Sequence, residues 1–398
     1  MKSEFDIIIV GAGLVGLTAA LALSQAGFKT AIIDSKIGTD NPRDPRASTL
    51  AASSFQLMKN LGLATALTPH IQPIDDMMIG EGRPGLISPL TLHFDGQKRS
   101  SSMAYMIENN RLMTELSTAA ATTPNLAIHM GSAMTGCEFD SRCGALTLAS
   151  GETLSAKLIV AADGRNSAVR HSANIAVETR PYDQSAIVTT VEHERDHNGV
   201  AYQMFFPGGP FAILPLTGRR ASIVWSDKTS AVHSALALGD EAFAAELARR
   251  FGDHLGAIKI LSPKLSYPLS LQMAESYTAP RLALIGDAAH VVHPIAGQGL
   301  NMGLRDVAAL TEVLTRAKAT GLDIGGAELA EYGQWRRADN RMLAVATDQL
   351  NQLFTSRITP IRHLRRLGLS AVDKSSLAQI FFMSEAAGEN GDLPPLLT

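Results

Sequence analysis

Residues Gly286 to Asp306 read GDAAHVVHPIAGQGLNMGLRD, and this stretch decides the fold. It packs a buried carboxylate, a proline turn and a glycine-rich helix start into 21 residues. Ahead of it, Arg281 to Ile285 (RLALI) has the composition of a short buried strand. Behind it, Leu300 to Leu314 carries apolar residues at helical spacing. The order is therefore strand, Gly286-Asp287, a turn at Pro294, then Gly297, Gly299 and Gly303 opening a helix. Small residues there let a flat ligand lie against bare backbone. The helix start also offers unpaired N–H groups and the positive end of a dipole, which favour negative charge on that ligand.

The N-terminus supplies the matching half. Phe5-Asp6-Ile7-Ile8-Ile9-Val10 is a short run rich in β-branched residues, as expected of a buried parallel strand. It enters Gly11-Ala12-Gly13-Leu14-Val15-Gly16, an Ala/Leu-rich helix follows to about Ala26, and Gly27 stops it. Lys29 to Asp34 is a second strand ending in a carboxylate, 18 residues after Gly16. In such a unit Gly11 makes the tight turn, Gly13 lets backbone approach a pyrophosphate, and Gly16 lets helix pack on strand. Asp34 is placed to accept hydrogen bonds from an adenosine ribose. This fingerprint serves NAD and FAD alike. A reduced flavin develops negative charge at the N1–C2=O edge of its ring, so the helix start near Gly299 favours flavin.

Residues 7 to 23 carry no charge and can also be read as a signal-peptide core or a membrane span. At 17 residues the run falls short of the roughly 20 that a span needs. Glu4 and Asp6 stand where a basic leader would be, and the glycines fall on the nucleotide fingerprint.

A third motif follows the buried strand Ala156 to Ala162: Asp163-Gly164-Arg165-Asn166-Ser167-Ala168-Val169-Arg170. The order GxGxxG, DGxxSxVR, GDAAH…PxxGQGxNxGxxD resembles the p-hydroxybenzoate-hydroxylase-like FAD monooxygenases. HPIAGQGLNMGLRD looks specifically like their ubiquinone-biosynthesis hydroxylase branch. The resemblance runs from Asp6 to the FFMSEAAG segment near the C-terminus. It implies an α/β fold: a Rossmann-like FAD-binding domain, a mixed-sheet substrate domain and a C-terminal helical region. It also implies the chemistry: NADPH or NADH visits transiently and reduces FAD, and dioxygen then gives a flavin C4a-hydroperoxide that hydroxylates a polyprenylated phenol.

Carried over by residue, the resemblance implies that Gly11, Gly13 and Gly16 line the pyrophosphate and that Asp34 binds the ribose, where the family more often has glutamate. Arg46, in PRASTL, matches an arginine beside flavin and pyrophosphate. Arg111, at a helix start, matches a second FAD contact, with a surface salt bridge as the competing reading. Gly286 and Asp287 would meet the ribityl chain, and the backbone of Gly299, Leu300 and Asn301 the flavin pyrimidine. Asp163 is tied in the family to both FAD and NAD(P)H, or else it caps the turn before the next helix. Backbone at Pro294 and Gly297 would shape the ring site, while His290 and His293 read as turn-stabilising residues rather than acid–base groups. No side chain stands out as the base for phenol deprotonation.

Composition agrees. The 398 residues are 45% apolar and 18% charged, enough for sizeable cores and far from disorder. A net charge of −3 provides no basic field for nucleic acid. Cys137 and Cys143 read as reduced packing residues, and no metal-ligand cluster stands out. We expect the FAD-binding domain in 1–72, 98–175 and 277–330, an antiparallel-sheet substrate domain in 73–97 and 176–276, and helices in 331–398. The sheet expectation rests on SAIVTTVEH, GVAYQMFFP, GPFAILPL and RRASIVWSD, short alternating runs separated by turns.

Two alternatives to the prenylphenol remain. One is a soluble aromatic acid, for which the substrate sheet should hold an anion clamp; Arg219-Arg220 is the adjacent pair there. The other is a flavoprotein kept mainly as an assembly subunit beside other ubiquinone-biosynthesis proteins. Finally, Thr359-Pro360 starts a short helix that Gly368 ends, with Ile361, Leu364 and Leu367 opposing Arg362, Arg365 and Arg366. Segment 357–368 either docks on its own domain or lies on a membrane surface or partner. The expected setting is cytoplasmic, with this segment as the candidate for peripheral contact with the inner membrane.

Overall fold

A computed structural model describes residues 4–38, 44–83, 86–96, 102–252, 254–355, 372 and 375–398. The amphipathic segment 357–368 lies outside them.

Five parallel strands form the centre of the first sheet, in the order Leu282–Leu284, Thr153–Ala161, Phe5–Val10, Thr30–Asp34, Leu126–Met130. The N-terminal strand thus sits in the middle, flanked by strands from distant parts of the chain, so its residues Ile7, Ile8 and Ile9 are fully buried. Thr278–Ala279 adds an antiparallel edge, and Met134–Phe139 and Gly144–Leu148 form a meander on Thr153–Ala161. Helix Leu14–Gln25 is buried along most of its circumference, because the long helix Gln298–Ala319 and helix Asn109–Thr122 pack on it as well. That explains its all-round apolar sequence. Cys137 and Cys143 are buried and unbridged.

The second sheet has nine strands: His290–Val291, Leu265–Ala274, Val177–His193, Arg220–Lys228, Gly209–Leu216, Val200–Phe206, Asp76–Arg83 and Leu86–Asp95 in order, with Ile258–Ile260 beside Val177–His193. The expectation of an antiparallel sheet needs one correction. Val200–Phe206 runs parallel to Asp76–Arg83. More than a hundred residues separate the two, so no hairpin constrains their direction, and parallel pairing requires just such a long crossover. A third, three-stranded sheet joins Ala47–Ala51, Ala104–Glu108 and Ile71–Ile74. His290–Val291, on the second sheet, belongs to the decisive stretch, so that stretch spans the seam between the two large sheets.

From Leu329 the chain is helical to Thr355, and a further helix covers Ser376–Ala386. Among the described residues, no helix is long and apolar enough to cross a membrane.

Candidate active site

The turn after the first strand explains its glycines separately. Gly11 has φ +105°, and a Cβ there would lie 2.3 Å from the carbonyl oxygen of Ala162. A Cβ at Gly16 would lie 1.9 Å from the carbonyl oxygen of Gly11. Both are required by the fold itself. A Cβ at Gly13 would meet nothing within 4 Å, and helix Leu14–Gln25 begins there without a side-chain cap. Gly13 therefore leaves open space beside uncapped N–H groups. Asp34 borders that space: its Oδ2 accepts from the Ala12 N–H at 2.7 Å and its Oδ1 from the Lys36 N–H at 2.9 Å.

Asp163 turns the chain beside the same loop. Its Oδ2 accepts from the Val169 N–H at 3.1 Å, in the first turn of a short helix whose N-cap is Ser167, and its buried Oδ1 has no partner. Buried carboxylate oxygens are rarely left unmet unless a ligand or water serves them.

A second group gathers around Asp287, an exposed residue whose carboxylate makes no hydrogen bond among the described residues. Protein crowds it on most sides, and this desolvation raises its pKa, against the pull of His290, Arg165 and Arg46. Arg46 is paired with Asp44 (Nε to Oδ1 2.8 Å, Nη2 to Oδ2 2.6 Å), and its guanidinium lies 5.6 Å from the Tyr267 ring centroid. The Asp44 hydrogen bond lifts the Arg46 pKa, aided by Tyr267 and Asp287. The backbone of Arg46 accepts from the Asn109 N–H at 3.0 Å, so the helix start that carries Arg111 abuts the Arg46 loop. The Arg111 side chain is exposed and forms no ion pair with the described residues.

The helix start itself is built by three residues. Pro294 caps a 3-10 turn, Ile295–Gly297, and Gly297 adopts the left-handed conformation (φ 63°, ψ 29°) where a Cβ would lie 2.9 Å from Thr49 Oγ1. No side chain caps the helix that follows, and the space over Gly299 is open. The Asn301 side chain faces inward: Nδ2 donates to the Thr49 carbonyl at 2.8 Å and Oδ1 accepts from the Ala51 N–H at 2.9 Å. The Leu300 side chain packs partly against the core, so the open space at this helix start borders the backbone at Gly299.

The buried carboxylate of the stretch is Asp306. It is fully buried, accepting from Gly286 N–H (3.0 Å), His290 Nε2 (2.6 Å), Arg336 Nε (2.9 Å) and Asn340 Nδ2 (3.1 Å). Burial pushes its pKa up, but His290 and Arg336 outweigh that and hold it below the usual carboxylate value. His290 is therefore a structural residue, as the turn-stabilising reading has it. His293 differs: it is fully buried and neither ring nitrogen has a partner. Sequence reasoning missed Arg336, because nothing marks which of many helix arginines turns inward.

Two uncapped helix starts, open space over Gly13 and Gly299, a partnerless Asp287 and an orphaned Asp163 oxygen suit a flavin dinucleotide. The pyrophosphate end would lie at Gly13 and the ring at Gly299.

Residues 4–337 match a family model described as an FAD binding domain. The chain is 44% identical to ubiquinone hydroxylase UbiL of Rhodospirillum rubrum, over 98% of this chain and 92% of that protein. It is 33% identical to 3-demethoxyubiquinol 3-hydroxylase of Escherichia coli (96% and 98%). It is 30% identical to the human mitochondrial ubiquinone biosynthesis monooxygenase COQ6 (94% and 90%). Among solved structures, p-nitrophenol 4-monooxygenase PnpA of Pseudomonas putida shares the fold with TM-score 0.81 at 19% identity, over 98% and 99% of the two chains. HpxO of Klebsiella pneumoniae, complexed with FAD and uric acid, does so with TM-score 0.77 at 20% identity, over 98% of each.

Proposed function

The chain belongs to the FAD-binding-domain family, in the branch of the ubiquinone hydroxylases, and from that premise we propose that it hydroxylates the ring of a polyprenylated phenol on the route to ubiquinone. It is an FAD-dependent monooxygenase that takes NADPH or NADH and dioxygen. Bound FAD supplies the redox step and activates dioxygen; the protein binds, orients and keeps water out. In this reading Gly11, Gly13 and Gly16 form the pyrophosphate loop, Asp34 receives the ribose, and Asp287 the ribityl hydroxyls. The backbone of Gly299, Leu300 and Asn301 would face the flavin pyrimidine, where the positive end of the helix would stabilise negative charge. Arg46 and Arg111 reach the cofactor from the loop and helix start they share, Asp163 offers its free oxygen, and backbone at Pro294 and Gly297 shapes the ring site. The reacting ring would sit between the second sheet and the flavin, because ligand pockets favour such interfaces.

The observation that carries the substrate class is the wall beyond Pro294. Phe205 stacks on Phe354 with ring centroids 3.8 Å apart, and Ile295 and Ile79 join them in one apolar cluster. The rival reading, a soluble aromatic acid, needs a free cation in this sheet. Arg220, the nearest candidate, is held by both carboxylate oxygens of Glu108 at 3.1 Å, and Arg219 is exposed in the turn beside Gly218.

Peripheral membrane contact is the second part of the proposal. Ile380, Phe381 and Phe382 are 52%, 59% and 46% exposed on the last helix, an unusual concentration of apolar surface. They would dip into the lipid interface, and the basic residues of segment 357–368, outside the described residues, would add attraction to anionic lipid. The test of function is NAD(P)H consumption by FAD-loaded protein with and without a short-chain prenylphenol, with mass analysis of the product. Faster oxidation and a product one oxygen heavier are expected. Stimulation by a soluble aromatic acid alone would transfer the reading to that class. No response to either would favour an assembly subunit.

A further inference from the structure

His293 sits where three elements converge. It immediately precedes Pro294 on the flavin-side turn, and its imidazole meets the Tyr182 ring edge-on, centroids 5.2 Å apart at 73°. Tyr182 lies on the second sheet at an irregularity: the register against Leu265–Ala274 shifts between Pro181 and Ser185, and Asp183 takes φ +51°. Such bulges re-aim side chains beside active sites. The third element is helix Leu329–Thr355, which brings Asp348; its Oδ2 pairs with Arg180 Nη1 at 2.9 Å and accepts from Gln352 Nε2 at 2.8 Å.

Asp348, Arg180 and Tyr182 are the ionisable groups acting on this corner. Burial pulls the His293 pKa down to about 4, against Asp348, and pushes the Tyr182 phenol up to about 12, with Asp348 assisting. At neutral pH His293 is uncharged, with one ring nitrogen a donor and the other an acceptor, and the structure meets neither. Its chain neighbours belong to two apolar clusters, Val292 with Met302 and Ala344, and Ile295 with Phe205 and Phe354. A buried polar pair left unmet is costly, and a ligand that completes it is one of the few ways to offset that cost.

We propose that His293 selects substrates carrying a free ring hydroxyl: its imidazole, backed by Tyr182, hydrogen-bonds the phenolic oxygen and fixes the ring against the turn at Pro294. This rests on the prenylphenol reading above. It makes His293 a specificity-determining residue, with no proton transferred to it. A pocket built around such a hydrogen bond rejects the analogue lacking it far more strongly than an apolar pocket rejects a changed methylene.

The experiment compares binding of a short-chain prenylphenol and its methyl ether to FAD-loaded, full-length protein, without reductant, through the change in flavin absorbance. The wild type is expected to prefer the phenol by at least tenfold. His293→Phe, which keeps the ring contact with Tyr182 but no nitrogen, should bring the preference to within about threefold. Tyr182→Phe should reduce it less. A folded, FAD-loaded His293→Phe with the full preference overturns the proposal, as does equal binding of phenol and ether by the wild type. If His293→Phe does not fold, an undiminished preference in Tyr182→Phe overturns it instead. Failure of the wild type to bind either compound sinks the prenylphenol reading itself, and this inference with it.

Discussion

A single Cβ separates what the fold needs from what the ligand needs. At Gly16 it would collide with the Gly11 carbonyl at 1.9 Å, so Gly16→Ala should destabilise the protein by about 1–3 kcal/mol with or without cofactor. At Gly13 it meets nothing, so Gly13→Ala should leave apoprotein stability within about 0.5 kcal/mol while weakening FAD binding tenfold or more. Thermal melts of the apoproteins and fluorescence titration with FAD check both halves. Equal loss of stability in the two variants would refute the division of labour. His293 provides a pH test at the same scale. Its folded pKa, about 4, is below the unfolded value of 6.5, so between those values the unfolded chain binds more protons. Its contribution is fully present above pH 6.5, is lost as pH falls toward 4, and levels off below, amounting to roughly 3 kcal/mol. Replacing it with phenylalanine should flatten the melting temperature against pH across that window, and an unchanged slope would contradict the assignment.

At the scale of elements, helix Leu329–Thr355 holds the flavin-side turn from behind. Tyr332 donates to the Leu284 carbonyl at 2.7 Å, and Arg336 reaches Asp306, which in turn holds Gly286 and His290. Arg336→Leu would leave Asp306 buried without its guanidinium, and should cost about 3–5 kcal/mol, measured by urea unfolding. A loss under 1 kcal/mol would mean that solvent or His290 compensates. This element also marks where sequence reading stops. The strand-turn-helix at Gly11–Gly16 and the helix start at Gly297–Leu300 were legible because each is local: glycines, spacing and a terminal carboxylate lie within about twenty residues. The Asp306–Arg336 pair joins two helices thirty residues apart, and Arg337 or Arg341 would have looked equally suitable. The parallel pairing of Val200–Phe206 with Asp76–Arg83 was illegible for a like reason, since alternation reveals a strand but not its neighbour's direction. Nor does a sequence show that both nitrogens of a buried histidine go unmet.

For the whole molecule, the last helix turns its most apolar residues outward. Burying one phenylalanine side chain is worth about 1.5–3 kcal/mol, so Phe381→Ser with Phe382→Ser should weaken binding to anionic phospholipid vesicles tenfold or more, leaving oxidation of a water-soluble short-chain prenylphenol unchanged. Co-sedimentation with vesicles reads the first effect and NAD(P)H oxidation the second. Undiminished sedimentation would place the contact elsewhere.

The bond from Arg336 to Asp306 also sets an order of events during synthesis. The glycine loop leaves the ribosome well before the strand Leu282–Leu284 that completes its sheet, which follows some 270 residues later. Even then the turn at Gly286 lacks its brace until Arg336 and Asn340 have emerged. A nascent chain halted at residue 328 should therefore hold flavin poorly or not at all, however complete its nucleotide fingerprint. Cofactor loading would then be a late step, and an incomplete chain would carry no redox-active group to leak electrons to oxygen.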